Sequence, residues 1–302
     1  MKTFISTIFL VLLGVSLQAQ SPVGLKLNLE KGKTYSVKST TKQAIQQTAN
    51  GQQFAIDVIS NMVTSYKVLS QENDVMNIEF KFDTIATKIS SPMFNKETNS
   101  AKAGSTDPIE MIMHKMSTYT IIAKISTAGK FIDFVNYGKY KDNVLFVLDS
   151  IPASKRDQAK TQADGVIKES AVRSLVEPLF SYLPETAVKT GDNWETSYFM
   201  VSSAVSLMAQ NSYSLKGVEN KTATITGKTE IESVPSNDPN AQMTQELKGT
   251  MTSEGTIDIP TGLILKNSST GHITGNTTMK NNGNEMKMPV VVDSQSETIM
   301  LK

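Results

Sequence analysis

Few residues in this chain are equipped for chemistry. Its 302 residues include two histidines (His114 and His272), two arginines (Arg156 and Arg173) and no cysteine. Disulfides, thiolate nucleophiles and cysteine-held metals are therefore excluded. His114 follows Glu110 by four positions, which sets both on one face of a helix. Such a pair can relay a proton or begin a metal site, but it equally makes an ordinary surface hydrogen bond, and no third ligand stands nearby. His272 follows Ser268-Ser269-Thr270-Gly271. A serine–histidine nucleophile also needs base geometry and an orienting acid, and local spacing supplies neither. Asp133 and Asp258 each follow a glycine turn. Carboxylates brought to about 5–9 Å perform glycosidic acid–base work; the plainer alternative is that each satisfies its own turn. Asn237, Asp238 and Asn240 offer oxygens but lack the regular ligand spacing of a calcium loop. No catalytic residue, cofactor-binding residue or metal ligand is assigned on these grounds, and no cofactor is expected.

Apolar recognition has more material. Among 15 methionines, Met111, Met113 and Met116 cluster on one short segment, and Met286 alternates with Met288. Methionine fills irregular gaps and adapts to varied apolar partners. Trp194, the single tryptophan, either anchors a core or stacks on a ligand at a pocket mouth. Met113, Met116, Trp194, Met286 and Met288 are the candidate contacts for an apolar or lipid-like molecule. Ordinary core packing is the competing account of all five.

These side chains need elements to hold them. Between residues 35 and 97 the pattern has a period of two. Phe54, Ile56, Val58, Met62, Tyr66 and Val68 share one parity, and Met76, Ile78, Phe80 and Phe82 repeat it after the polar turn Gln71–Asp74. That alternation makes a long antiparallel hairpin with one apolar and one wet face. Residues 95–105 read as a loop. Asp107, Pro108 and Glu110 then open a short helix whose stripe is Ile109, Ile112, Met113 and Met116. Tyr119–Ile125 and Phe131–Val135 return to strand around Ala128-Gly129. Residues 155–182 form the long helical region, opened by a Ser154/Asp157 capping box, weakened at Gly165 and ended near Glu177 by Pro178. Strand resumes after Val188. Tyr213 and Leu215 begin one strand, Ser236–Asn240 is a loop, and Asp258–Leu263 is a hairpin turn.

Charge and composition narrow the class. Thirty Lys and Arg balance 29 Asp and Glu, for a net charge of +1, which excludes nucleic-acid binding by simple charge neutralisation. The 64 serines and threonines suit the wet sides of strands. Residues 1–19 read as a signal peptide: Lys2, an apolar stretch from Phe4 to Leu17, and small Ala19 at the boundary. The expected product is a secreted, periplasmic or extracellular protein with no transmembrane segment after signal removal.

The two strand-rich stretches share features in order. Lys31-Gly32-Lys33-Thr34-Tyr35 parallels Thr190-Gly191-Asp192-Asn193-Trp194, and Ser65-Tyr66-Lys67-Val68 parallels Ser212-Tyr213-Ser214-Leu215. Gly129-Lys130-Phe131-Ile132-Asp133 resembles Gly255-Thr256-Ile257-Asp258 with one register position shifted. A duplicated unit and one continuous sheet with a helical insertion both account for this. The stretch Pro184–Trp194, with Val188, Lys189 and Gly191-Asp192 inside it, and the segment Asp258–Leu263 after Gly255 resemble an uncharacterised family of secreted proteins from Bacteroidetes-type bacteria. The resemblance spans most of the chain after residue 19 and implies no activity and no site residues.

The expectation is an α+β chain, predominantly antiparallel β, with two related curved sheet regions and a helical segment between them. Its parts are 1–19 signal peptide, 20–150 N-terminal β-rich region, 151–186 helical connector and 187–302 C-terminal β-rich region. The expected role is a cell-envelope protein binding an apolar molecule in a half-barrel cleft. A carboxylate-dependent hydrolase of an envelope polymer and a structural or adhesion module are the alternatives.

Overall fold

The computed structural model describes residues 21–49, 51–202, 205–235, 243–281 and 284–301. The expected signal peptide and the loop at Ser236–Asn240, with the calcium-donor trio inside it, lie outside the described residues. Strands β1 (Thr34–Ala49), β2 (Gln52–Glu72), β3 (Val75–Ser90) and β4 (Asn95–Asn99) come first. Helix α1 (Pro108–Thr118), strands β5 (Ile121–Ser126) and β6 (Phe131–Phe134), and helix α2 (Tyr137–Leu145) follow. Helices α3 (Ala153–Ile167) and α4 (Glu169–Val176) lead to a 3-10 turn, Glu177–Leu179. The remainder is β7 (Asn193–Ser202), β8 (Val205–Glu219), β9 (Thr222–Ser233), β10 (Met243–Asp258), β11 (Leu263–Asn281) and β12 (Asn284–Leu301).

Among the described residues, twelve strands join one antiparallel curved sheet in the order β6-β5-β3-β2-β1-β12-β11-β10-β9-β8-β7, with β4 paired to β3. The two strand-rich regions thus merge through pairing of β1 with β12, where Val37 faces Met300 and Ile45 faces Val292. The parity seen in the sequence is the parity of burial. Tyr66, Val68, Met76, Ile78, Phe80 and Phe82 are all at most 2% exposed, and Tyr66 sits opposite Phe80 and Tyr35. Phe180, from the segment after α4, meets the Tyr66 ring edge-on at 5.4 Å. A second, smaller apolar cluster of Ile231, Leu247, Ile273 and Val290 lies farther along the same face. Between the two clusters that face carries small hydroxyls paired across strands: Ser39 with Thr298 at 3.0 Å and Thr41 with Ser296 at 2.9 Å.

The helices follow their caps and breakers, with corrections. Asp107 caps α1, its Oδ1 accepting from the amides of Ile109 and Glu110. Ser154 caps nothing: α3 starts at Ala153 behind Pro152, without a side-chain cap. The break between α3 and α4 falls at Lys168, whose extended backbone (φ −55°, ψ 149°) interrupts the helix, while Pro178 converts the end of α4 into the 3-10 turn. Residues 95–99, expected in a loop, extend the sheet as β4, and α2 was not foreseen. Strand β8 begins eight residues before Tyr213.

The repeated features hold in geometry. Gly32 (φ 81°) and Gly191 (φ 93°) both take the left-handed region that favours glycine, and their amides bond to Val68 and Leu215 carbonyls at 2.9 and 2.8 Å. Tyr35 stacks on Tyr66 at 5.9 Å as Trp194 stacks on Tyr213 at 5.8 Å. The third parallel needs correcting. The counterpart of Gly129 (φ 78°) is Gly262 (φ 74°), each at the apex of a turn; Gly255 lies within β10. Motif order alone had favoured the glycine nearest an isoleucine-aspartate pair.

Candidate functional site

Pairing of β1 with β12 brings four distant segments around one cavity of about 180 Å³. Val37 and Ser39 of β1, Met62 and Tyr66 of β2, Ile264 and Asn267 of β11, and Thr298 and Met300 of β12 supply the sheet side. Ser174 and Leu175 of α4, Pro178 and Leu179 of the 3-10 turn, and Tyr182 form the roof. The lining residues of β1, β2 and β12 are spaced by even numbers because strand neighbours point to opposite faces, while Ile264 and Asn267 stand three apart because the pairing of β11 with β10 shifts register between them.

The roof is tied down by hydrogen bonds to β7 and β11. The Tyr182 hydroxyl donates to the Gly262 carbonyl at 2.8 Å and accepts from the Ile264 amide at 3.0 Å. Trp194 Nε1 donates to the Tyr182 carbonyl at 3.0 Å, and Ser174 Oγ donates to the Val201 carbonyl at 3.2 Å. Burial pushes both Tyr66 and Tyr182 well above the usual phenol range, with neighbouring tyrosines adding to the shift of Tyr66. Both are neutral at physiological pH.

The five residues singled out from sequence do not share a site. Met116 is fully buried beneath α1, and Met113 is half-buried on the same helix. Trp194 packs on Tyr213 behind the roof. Met288 is 6% exposed and receives a long contact from Gln47 Nε2 at 3.9 Å. Met286 is 38% exposed beside Met279 near the β11–β12 hairpin end. None of the five lines the cavity; the methionines that do are Met62 and Met300.

The remaining candidate chemistry stays dispersed. His114 Nδ1 donates to the Ser100 carbonyl at 2.8 Å, and His272 pairs with Asp293 at 2.7 Å on the exposed face of β11 and β12. Asp133, within β6, accepts from the amide of the next residue, Phe134, and Asp258 accepts from the amide and hydroxyl of Thr261 in its own turn. No group of three or more His, Asp or Glu is set to hold a metal among the described residues. A larger groove of about 960 Å³ borders Glu177, Glu185, Glu195 and Glu230. Its buried acid, Glu177, is held bidentate by Arg173 at 2.8 Å and 2.8 Å; the Arg173 guanidinium itself sits over the Phe131 ring.

No curated protein matches this chain in sequence. Among solved structures, it is similar to lipovitellin (13% identity, TM-score 0.49), covering 91% of this chain and 26% of that one. It is also similar to an outer membrane channel from Pseudomonas putida F1 (7% identity, TM-score 0.28), covering 91% of this chain and 97% of that chain. OpdQ of Pseudomonas aeruginosa gives 9% identity and a TM-score of 0.24 over 89% of this chain and 100% of that one. The chain spans about a quarter of the lipovitellin chain. Likenesses this distant carry no argument about function. The family match is of another kind: residues 73–264, well over half of the chain, fit the family of unknown function DUF6263, and the chain belongs to that family.

Proposed function

We propose that this is an exported cell-envelope protein that holds an apolar, lipid-like small molecule between its curved sheet and α4. The observation that carries this reading is the cavity itself, whose walls include Val37, Met62, Leu175, Leu179, Ile264 and Met300. The cavity is a part-open cleft, and at about 180 Å³ it has room for a molecule the size of benzene. The same sheet face is apolar again at Ile45, Val58 and Val292, beyond the belt of small hydroxyls, which offers a longer chain a second apolar surface. Export is supported by the composition of residues 1–19. A hydrolase reading has less to rest on, because Asp133, Asp258 and Glu177 are each engaged in a local structural role.

The test uses toluene, an apolar probe of the cavity's size, observed by ligand-detected NMR and isothermal titration calorimetry on the purified protein. Toluene is expected to bind saturably, and Met62→Trp, which fills the cavity from β2, is expected to abolish that binding with little loss of stability. Saturable binding that is unchanged by Met62→Trp, or no binding at all, refutes this site.

A further inference from the structure

We infer that the ligand of this cavity is uncharged, carries a hydrogen-bonding group such as an alcohol, ester or amide, and is met by Tyr66 and Asn267. This deepens the preceding reading and rests on it. None of the lining residues is Asp, Glu, Lys, Arg or His, and the two tyrosines among them stay neutral because burial opposes ionisation. A carboxylate, phosphate or ammonium seated against this lining would give up part of its water with no countercharge in return. The cavity is nevertheless not purely apolar. Ser39 and Thr298 satisfy one another, Ser174 is engaged with two carbonyls, and Tyr182 is doubly bonded. Two polar side chains in the lining are left over: among the described residues, neither the Tyr66 hydroxyl nor the Asn267 amide has a hydrogen-bond partner. Tyr66 is 2% exposed. One step along the same face of β2, the buried Thr64 Oγ1 is also without a partner. Both groups open onto the pocket, so a ligand seated there meets an unpaired phenol and an unpaired amide. The phenol offers a donor, and the amide offers both a donor and an acceptor.

The experiment compares three eight-carbon probes of similar shape by calorimetry at pH 8: 1-octanol, octanoate and octylammonium, with toluene as the purely apolar reference. The expected result is that 1-octanol binds at least about tenfold more tightly than either ion, because only the ions incur the desolvation penalty. Asn267→Leu and Tyr66→Phe should each lower the affinity of 1-octanol relative to that of toluene by about 3–10-fold, the worth of one neutral hydrogen bond. Octanoate binding as tightly as 1-octanol overturns the inference and leaves the apolar site standing. So does 1-octanol affinity, relative to that of toluene, that both variants leave intact. Failure of toluene as well as all three probes overturns the site and the inference together.

Discussion

Replacing Gly129 by alanine separates two contributions that a single turn glycine makes. Gly129 has a φ of 78°, and a Cβ built on it would lie 2.2 Å from the Phe180 carbonyl oxygen and 3.2 Å from Leu183 Cδ1. Ordinary carbon–oxygen contacts are about 3.3–3.6 Å, so the Phe180 backbone has to retreat by roughly 1 Å. Phe180, Tyr182 and Leu183 are all at most 3% exposed, leaving no free space to retreat into. Hydrogen bonds tie this stretch to Gly262, Ile264, Trp194 and Thr196; weakening two of them costs about 2 kcal/mol. The left-handed backbone adds about 1–2 kcal/mol for any residue with a Cβ. Gly32 is the matched control: its φ is 81°, and nothing lies within 4 Å of its Cβ position. Gly129→Ala should therefore destabilise by about 3–4 kcal/mol and Gly32→Ala by about 1–2 kcal/mol. At about 2 °C per kcal/mol for a chain this long, their melting temperatures should differ by roughly 4 °C. Urea unfolding followed by Trp194 fluorescence and by circular dichroism reads the difference. The Phe180–Leu183 stretch continues the roof of the cavity, so Gly129→Ala should also weaken toluene binding while Gly32→Ala should not. Equal destabilisation by the two variants would refute the close approach as a constraint.

Two further outcomes follow from individual side chains. Trp194→Phe keeps the stack on Tyr213 but strands the Tyr182 carbonyl, so it should lower stability by about 1–2 kcal/mol in urea titrations monitored by circular dichroism. Glu110 is held below the ordinary glutamate range by the hydrogen bond from Lys102 at 2.8 Å, and then by Ser105 at 2.6 Å. A lowered folded-state value stabilises above the unfolded value of about 4.3 and is lost as pH falls through the folded one; Glu110→Gln should remove that dependence, giving stability–pH profiles that separate above this range and converge in acid.

The part of this architecture visible in the sequence is the part set by neighbours along the chain. The even-numbered row from Phe54 to Phe82 marked the buried face of β2 and β3 because a strand reverses face at each residue. Asp107 marked the start of α1 because its carboxylate reaches the first free amides. Strand β4 escaped notice because Asn-Lys-Glu-Thr-Asn has no apolar alternation; it is held by backbone pairing, with Thr98 its buried side chain. Helix α2 left a signal in Tyr140 and Val144, both buried and four apart, which a scan for helical spacing after Asn136 would have found. The cavity had no local signature. Met62 and Tyr66 were legible as core, but their meeting with Asn267, Thr298 and Met300 depends on β1 lying beside β12, a register that no periodicity encodes. Methionine clustering pointed to Met113 and Met286 because adjacency in sequence stood in for adjacency in space.

The placement of the cavity follows from how the two strand-rich halves interlock. With β4 and α1 set aside, β1, β2, β3, β5 and β6 parallel β7, β8, β9, β10 and β11, each series starting after a glycine turn and carrying a glycine-apexed turn between its last two strands. The backbone leading into each half crosses the other half's turn: the Phe180 carbonyl sits on Gly129, and the Lys26 carbonyl sits on Gly262 at 2.2 Å from its Cβ position. Consecutive amides of the first lead-in, Leu27 and Asn28, donate to Thr127 and Thr261, one in each turn, at 2.7 and 3.0 Å. The lead-ins themselves pair at Val23 and Val188. Neither half can close its own end, so the end that bears α4 is shut only when both are folded. The roof of the cavity is the end of α4, the 3-10 turn and Tyr182 in the second lead-in, while its floor combines the first strands of one half with the last strands of the other. A molecule bound there touches both halves at once and stabilises only the fully closed sheet, by RT ln(1 + [L]/Kd) for free ligand concentration [L]. On the function proposed above, ligand binding and the joining of the two halves are coupled, and Gly129→Ala should alter both.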